Sequence, residues 1–180
     1  MGTKIIPEGN GIKIYTERLV LKEMSGENFD DLYEFLSDPD VMYAWEHAFT
    51  EEDARAWLNK QRTRYAKYGF GAWGVFLKGS AKMIGQCGVT MQPYLGGDVP
   101  EIGYILNKNY WGNGYATEAA SAAREAAFGH FGFDSVYAFI RTNNFNSVAV
   151  ARRLGMRRLG VTIKIYRGKE MPHYVYFSEK

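Results

Sequence analysis

The chain has 180 residues, of which 46% are hydrophobic, 23% charged and 16% aromatic, enough for one domain with a full core and too apolar for disorder. Lys plus Arg number 22 and Asp plus Glu 20, a net charge of +2, which excludes a strong field for nucleic acid or a membrane surface.

In chain order, residues 1–14 read as an N-terminal arm, because Gly9, Asn10 and Gly11 break regular structure, and residues 15–178 read as the domain. A strand is expected from Tyr15 to Met24. Ser25 can cap a helix from Glu27 to Leu36, with Phe29, Leu32, Tyr33 and Leu36 on one face and Asp38-Pro39-Asp40 ending it. Thr50, followed by Glu51, Glu52 and Asp53, opens a second helix that Gly69 closes. Two strands, Phe70–Leu77 and Met83–Met91, are joined by the turn Lys78-Gly79-Ser80. Pro93, Gly96, Gly97 and Pro100 read as a loop, and a strand follows over Glu101–Leu106. After the segment Asn109–Gly114 comes an alanine-rich helix to about Phe131, a strand Asp134–Arg141, a short helix Asn146–Leu154 stopped by Gly155, and two last strands, Met156–Tyr166 and Met171–Phe177. This order predicts an α+β fold: one twisted, mixed, mostly antiparallel sheet with helices on both faces.

Glu101 to Glu118 is the most informative stretch: a strand, a short glycine loop, then a helix. Gly112 and Gly114 permit positive φ and close approach of a ligand, and the free N–H groups of the first helical turn suit phosphate or pyrophosphate. No lysine follows Gly114 as a P-loop requires, and Thr117 stands where a dinucleotide fingerprint needs its third glycine.

Glu101-Ile102-Gly103-Tyr104-Ile105 with Tyr110-Trp111-Gly112-Asn113-Gly114-Tyr115-Ala116-Thr117-Glu118-Ala119 resembles the acetyl-CoA motif of the GNAT acetyltransferase superfamily. Asn143 to Met156 resembles the strand–helix segment that closes that family's cofactor cleft. The opening Thr16-Glu17-Arg18-Leu19-Val20-Leu21, with Asp38-Pro39-Asp40-Val41-Met42 after it, is similar to the branch of ribosomal-protein N-terminal acetyltransferases.

The resemblance implies a GNAT-like domain that moves an acetyl group from acetyl-CoA to a primary amine, a peptide N-terminus or a small molecule, by direct attack in a ternary complex. The pyrophosphate would rest on the backbone of Trp111, Gly112, Asn113, Gly114, Tyr115 and Ala116. The pantetheine arm would run beside Ile105, Leu106 and Asn107, on a strand that splays from its neighbour and so frees donors for the thioester carbonyl. Asn143 and Asn146 would close the cleft. Asn109 stands where the family usually carries Gln or Arg, and its shorter side chain argues against a side-chain phosphate contact. Glu101 matches the family's usual glutamate and would draw the proton from the amine through a water. The tyrosine that protonates the leaving thiolate in many relatives is replaced by Ala151, so Tyr104 or Ser147 would have to substitute, or the thiolate would leave unaided. That replacement is the support for an alternative reading, a non-catalytic acetyl-CoA sensor or regulatory subunit.

The remaining chemistry-bearing residues read as structural. The single cysteine, Cys87, lies in a strand and precludes an internal disulfide or a multi-cysteine zinc site; His47, His130 and His173 show no metal-ligand spacing. Arg152, Arg153, Arg157 and Arg158 read as a solvated helix end, and Trp45 with Phe49 as a wall on the acceptor side. No apolar run approaches the ~20 residues of a membrane span and no signal-peptide core is seen. The expectation is a cytoplasmic protein, monomeric or homodimeric, using no metal and binding neither nucleic acid nor membrane.

Overall fold

The computed structural model describes residues 2–8 and 11–180. Both N-capping signals act as written. Ser25 and Asn28 exchange reciprocal bonds at the head of a short 3-10 turn that runs into α1 (Phe29–Leu36), and Thr50 and Asp53 do the same for α3 (Glu51–Tyr68). Asp38 caps a further turn, α2 (Pro39–Met42), which the proline starts as well as ending α1. Gly69, at φ +74°, takes the left-handed cap that ends α3.

Among the described residues nine strands form one sheet: β1 (Lys4–Glu8), β2 (Gly11–Tyr15), β3 (Leu19–Lys22), β4 (Ala72–Leu77), β5 (Met83–Tyr94), β6 (Gly97–Leu106), β7 (Ser135–Arg141), β8 (Arg157–Tyr166) and β9 (Lys169–Glu179). Their order is β1-β2-β3-β4-β5-β6-β7-β9-β8, and every neighbouring pair is antiparallel except β6 and β7. A parallel pair needs a crossover, supplied here by α4 (Tyr115–Gly129). Helix α5 (Phe145–Arg153) follows β7.

The first correction concerns residues 1–14. Gly9 and Asn10, read as breakers, lie outside the described residues, but their flanks are strands: β1 and β2 pair from Lys4↔Tyr15 to Glu8↔Gly11, and Ile12 and Ile14 are buried in the core. The described part of the expected arm is thus a hairpin built into the sheet. The second concerns Pro93–Pro100. Rather than a loop, this is the tip of the β5–β6 hairpin, turning through Leu95 and Gly96 at φ +50° and +84°. The prolines are tolerated because the tip strands pair only with each other, so each has an outward side where a missing N–H costs nothing.

Apolar side chains alternate between two layers. Leu32, Phe35, Leu36, Val41, Met42 and Leu58 of α1–α3 pack on Phe76 and Met83. Leu19, Leu21, Val75, Cys87, Val89 and Ile102 point the other way, onto α4. There Ala119, Ala120, Ala122, Ala123, Ala126 and Ala127 are fully buried, and their small size lets the helix lie close against the sheet.

Candidate active site

β6 and β7 share one pair of partnered residues, Glu101 and Tyr137. Beyond it the strands diverge, and the β6 edge from Ile102 to Leu106 faces no strand on that side. The expected splay is therefore present. A cleft of about 1350 Å³ opens there, reaching from α4 past α5 to α3 and the β8–β9 hairpin.

At the α4 end, Asn107 accepts from the Asn109 N–H (3.0 Å) and the Trp111 indole donates to the Leu106 carbonyl (2.8 Å), folding the chain into a tight loop. Gly112 and Gly114 have φ of +77° and +80°, a region that disfavours any residue with a Cβ. α4 has no side-chain cap, and its first intrahelical bond is Glu118 N–H to Gly114 O. The N–H groups of residues 112 to 117 consequently have no acceptor among the described residues. A run of free donors on a glycine loop leading into a helix is a built anion cradle, and it fits the diphosphate of a coenzyme A thioester.

Arg18 braces this loop. Its Nε and Nη2 reach Glu118 Oε2 at 2.7 and 2.6 Å, its Nη1 donates to the Asn113 carbonyl at 3.0 Å, and its guanidinium lies 4.6 Å from the Tyr115 ring centre. Burial pushes the Glu118 carboxyl up, but hydrogen bonds from Thr16 and from the Arg18 backbone and side chain outweigh it and hold the group ionised.

The residues expected to bind the cofactor divide. Ile105, Leu106, Trp111, Gly112, Gly114, Tyr115, Ala116 and Asn146 line the cleft. Asn107 does not: it is buried and its amide donates to Glu34 (2.8 Å). The Asn113 side chain turns back to the Tyr110 and Trp111 carbonyls, so only its backbone serves the loop. Asn143 is exposed outside the cleft; its neighbour Asn144 lines it instead and caps α5 by accepting from the Ser147 N–H at 3.1 Å.

Of the expected catalytic residues, Glu101 sits at the fork of the two strands, partly buried, with the Phe139 N–H 3.4 Å from Oε1. Burial raises its carboxyl above the usual carboxylate range, while Lys164, the Phe139 N–H and Arg64 act in the opposite direction. Tyr104 donates its hydroxyl to the Ser147 carbonyl (3.1 Å), and burial pushes the phenol up, which makes it a poor acid. It ties β6 to α5. The Ser147 hydroxyl lines the cleft without a hydrogen bond among the described residues. Ala151 is in the core and does not line the cleft, so the side chain at that position points away from it.

Several cleft residues were missed. His173 donates from Nδ1 to the Met171 carbonyl (2.8 Å), and burial holds the ring below the usual imidazole range, leaving Nε2 as the accepting nitrogen near neutrality. Arg141 pairs with Glu46 and donates to the Tyr43 carbonyl at 3.1 Å. Trp57, Lys60 and Arg64, at i, i+3 and i+7 of α3, form one wall, with the Trp57 indole donating to Gln86 (3.0 Å). Of the arginine cluster, Arg153 alone lines the cleft; Arg157 and Arg158 lie over Phe177 and Tyr174. Cys87 is buried with its thiol pushed up, consistent with an inert core residue. Among the described residues no group of three or more His, Cys, Asp or Glu could hold a metal, and no helix is long and apolar enough to cross a membrane.

The fold and this cleft are those of a known class. The family profile described as "Acetyltransferase (GNAT) domain" matches residues 18–157, and the chain belongs to that family of acetyltransferases. It is 35% identical over 167 residues to the uncharacterized N-acetyltransferase YnaD of Bacillus subtilis, covering 92% of this chain and 95% of that one. Among solved structures, an acetyltransferase of the GNAT family from Bacillus anthracis superposes with a TM-score of 0.79 at 29% identity, over 93% of this chain and 98% of that one. RimL, a ribosomal L7/L12 α-N-protein acetyltransferase solved with coenzyme A, has a TM-score of 0.73 at 16% identity over 98% of each chain. The ribosomal-protein branch is thus a distant neighbour that shares the fold.

Proposed function

We propose that this acetyltransferase uses acetyl-CoA and transfers the acetyl group to a primary amine by direct attack. The observation that carries the reading is the unpartnered N–H run from 112 to 117 beside the open β6 edge, with Glu101 at the fork. Residues 112–117 would hold the diphosphate, and coenzyme A would supply the thioester. The free β6 edge offers backbone donors where the thioester oxygen gains charge during attack. Glu101, its carboxyl raised by burial, is suited to accept the proton that the amine loses, directly or through a water. The Ser147 hydroxyl is the donor available to the departing thiolate, which at a thiol pKa near ~8.5 is a fair leaving group without help.

The experiment is to mix the protein with acetyl-CoA and a panel of primary amines, following thiol release and product mass. Turnover that depends on Glu101 supports the reading. Tight acetyl-CoA binding with no turnover on any amine would favour the sensor role instead.

A further inference from the structure

The acceptor end of the cleft carries an imbalance of charge that acetyl transfer to a simple amine leaves unexplained. Lys60 and Arg64 stand on the same face of α3, and Lys164 on β8 lines the same cleft with its Nζ 4.0 Å from the Phe139 ring centre. None of the three has a carboxylate ion-pair partner among the described residues. Arg64 is held only by the neutral Gln61, whose side-chain oxygen accepts from Nη1 at 3.2 Å. Of the other cleft cations, Arg18 pairs with Glu118 and Arg141 with Glu46, while Arg153 on α5 has no carboxylate partner among the described residues. The cleft's other carboxylates, Glu17, Glu118 and Glu125, belong to the Arg18 segment and to α4, so Glu101 is the one cleft carboxylate that acts on Arg64 and is acted on by Lys164.

Bringing these like charges together costs free energy, most at the half-buried Arg64 and least at the exposed Lys60. Burial lowers both the Lys60 and the Arg64 ionisation, and for Lys60 the neighbouring Arg64 charge adds to the effect. Like charges gathered with only one carboxylate, Glu101, to balance them and no ion pair made mark a place where a ligand supplies the opposite sign. The diphosphate does not fill that role, because its cradle is at the α4 end, whereas the charges of Arg64 and Lys164 act on Glu101.

We infer that the acceptor is an amine that also bears an oxyanion, carboxylate or phosphate, which Lys60, Arg64 and Lys164 hold while the nitrogen lies at Glu101. This rests on the acetyl-transfer reading above and narrows its substrate class. A guanidinium beside two ammonium groups suits either oxyanion.

The test uses matched pairs of acceptors at fixed acetyl-CoA: amino acids against their methyl esters, and phosphoethanolamine against ethanolamine. In each amino-acid pair the ester has the less basic amine, which favours it in attack, so a preference for the free acid reports on charge recognition. The anionic member is expected to have at least a tenfold higher kcat/KM in one of the two series, which tells carboxylate from phosphate. Arg64→Gln and Lys60→Gln should collapse that ratio at least tenfold, mainly through KM, with acetyl-CoA affinity measured by calorimetry kept. Arg64→Lys should restore most of it. Equal or better use of the neutral member, no reaction of any anionic member despite bound acetyl-CoA, or a ratio unmoved by both Gln variants would overturn the inference. Failure to bind acetyl-CoA at all would instead remove the acetyl-transfer reading.

Discussion

Arg18 and Glu118 lie 100 residues apart in sequence and meet through the guanidinium and the carboxylate at 2.6 and 2.7 Å, while the same guanidinium also holds the Asn113 carbonyl. The contact fastens the loop of free N–H groups to the start of β3. It also neutralises a carboxylate in the first turn of the helix that is proposed to face a diphosphate.

Removing the cation should therefore weaken cofactor binding rather than chemistry. Arg18→Ala is expected to raise the acetyl-CoA Kd about tenfold, or ~1.4 kcal/mol, with kcat changed less. Adding Glu118→Gln should recover part of the loss by removing the stranded charge. Calorimetric titration of the wild type, both single variants and the double variant gives the coupling directly.

For Glu101 the expectation is a pH dependence of two kinds. As a base it works deprotonated, so kcat/KM should rise with pH through a limb above the ordinary carboxylate value of ~4.3, and Glu101→Gln should lower turnover and abolish that limb. The stability effect runs the other way. A raised native pKa means that folding favours the protonated acid, so stability is lost as pH climbs from the ordinary value through the raised one. Glu101→Gln should raise Tm at neutral pH, and the gain should vanish in acid. Thermal melts across the pH range check it.

The loop glycines give a sharper disruption. At φ +80° Gly114 admits no β-branched residue without strain on the order of 1–2 kcal/mol. Gly114→Val should abolish measurable acetyl-CoA binding while the protein remains folded by circular dichroism. Retained binding would mean that the diphosphate sits elsewhere.

Tyr104→Phe separates an acid from a strut. Because the hydroxyl is committed to the Ser147 carbonyl, its loss should cost about 1 kcal/mol of stability and leave kcat nearly unchanged. A large fall in kcat with acetyl-CoA affinity kept would make Tyr104 the proton donor after all.

What the sequence made legible was local. Ser25 and Thr50 are caps with a hydrogen-bond partner three residues on, and Gly69 and Gly155, at φ +74° and +71°, end their helices. The glycine loop could be read for the same reason, since its function lies in consecutive backbone groups. Prolines and glycines misled where the sheet overrode them, at the β5–β6 tip and at Gly11, which pairs with Glu8. Asn144 was within reach, because an Asn three residues before Ser147 is a capping pattern, and so was the i, i+3, i+7 stripe of Trp57, Lys60 and Arg64. Arg18, Arg141, Lys164 and His173 were not, because pairings of distant strands bring them to the cleft and no nearby residue announces it.

The single ladder pair between the two parallel strands also has a consequence for the whole sheet. It divides the sheet into two leaves, β1–β6 and β7–β9, joined through the backbone at Glu101 and Tyr137. The carboxylate thus sits at the one place where the two leaves share a ladder pair, and the gap between them widens away from it.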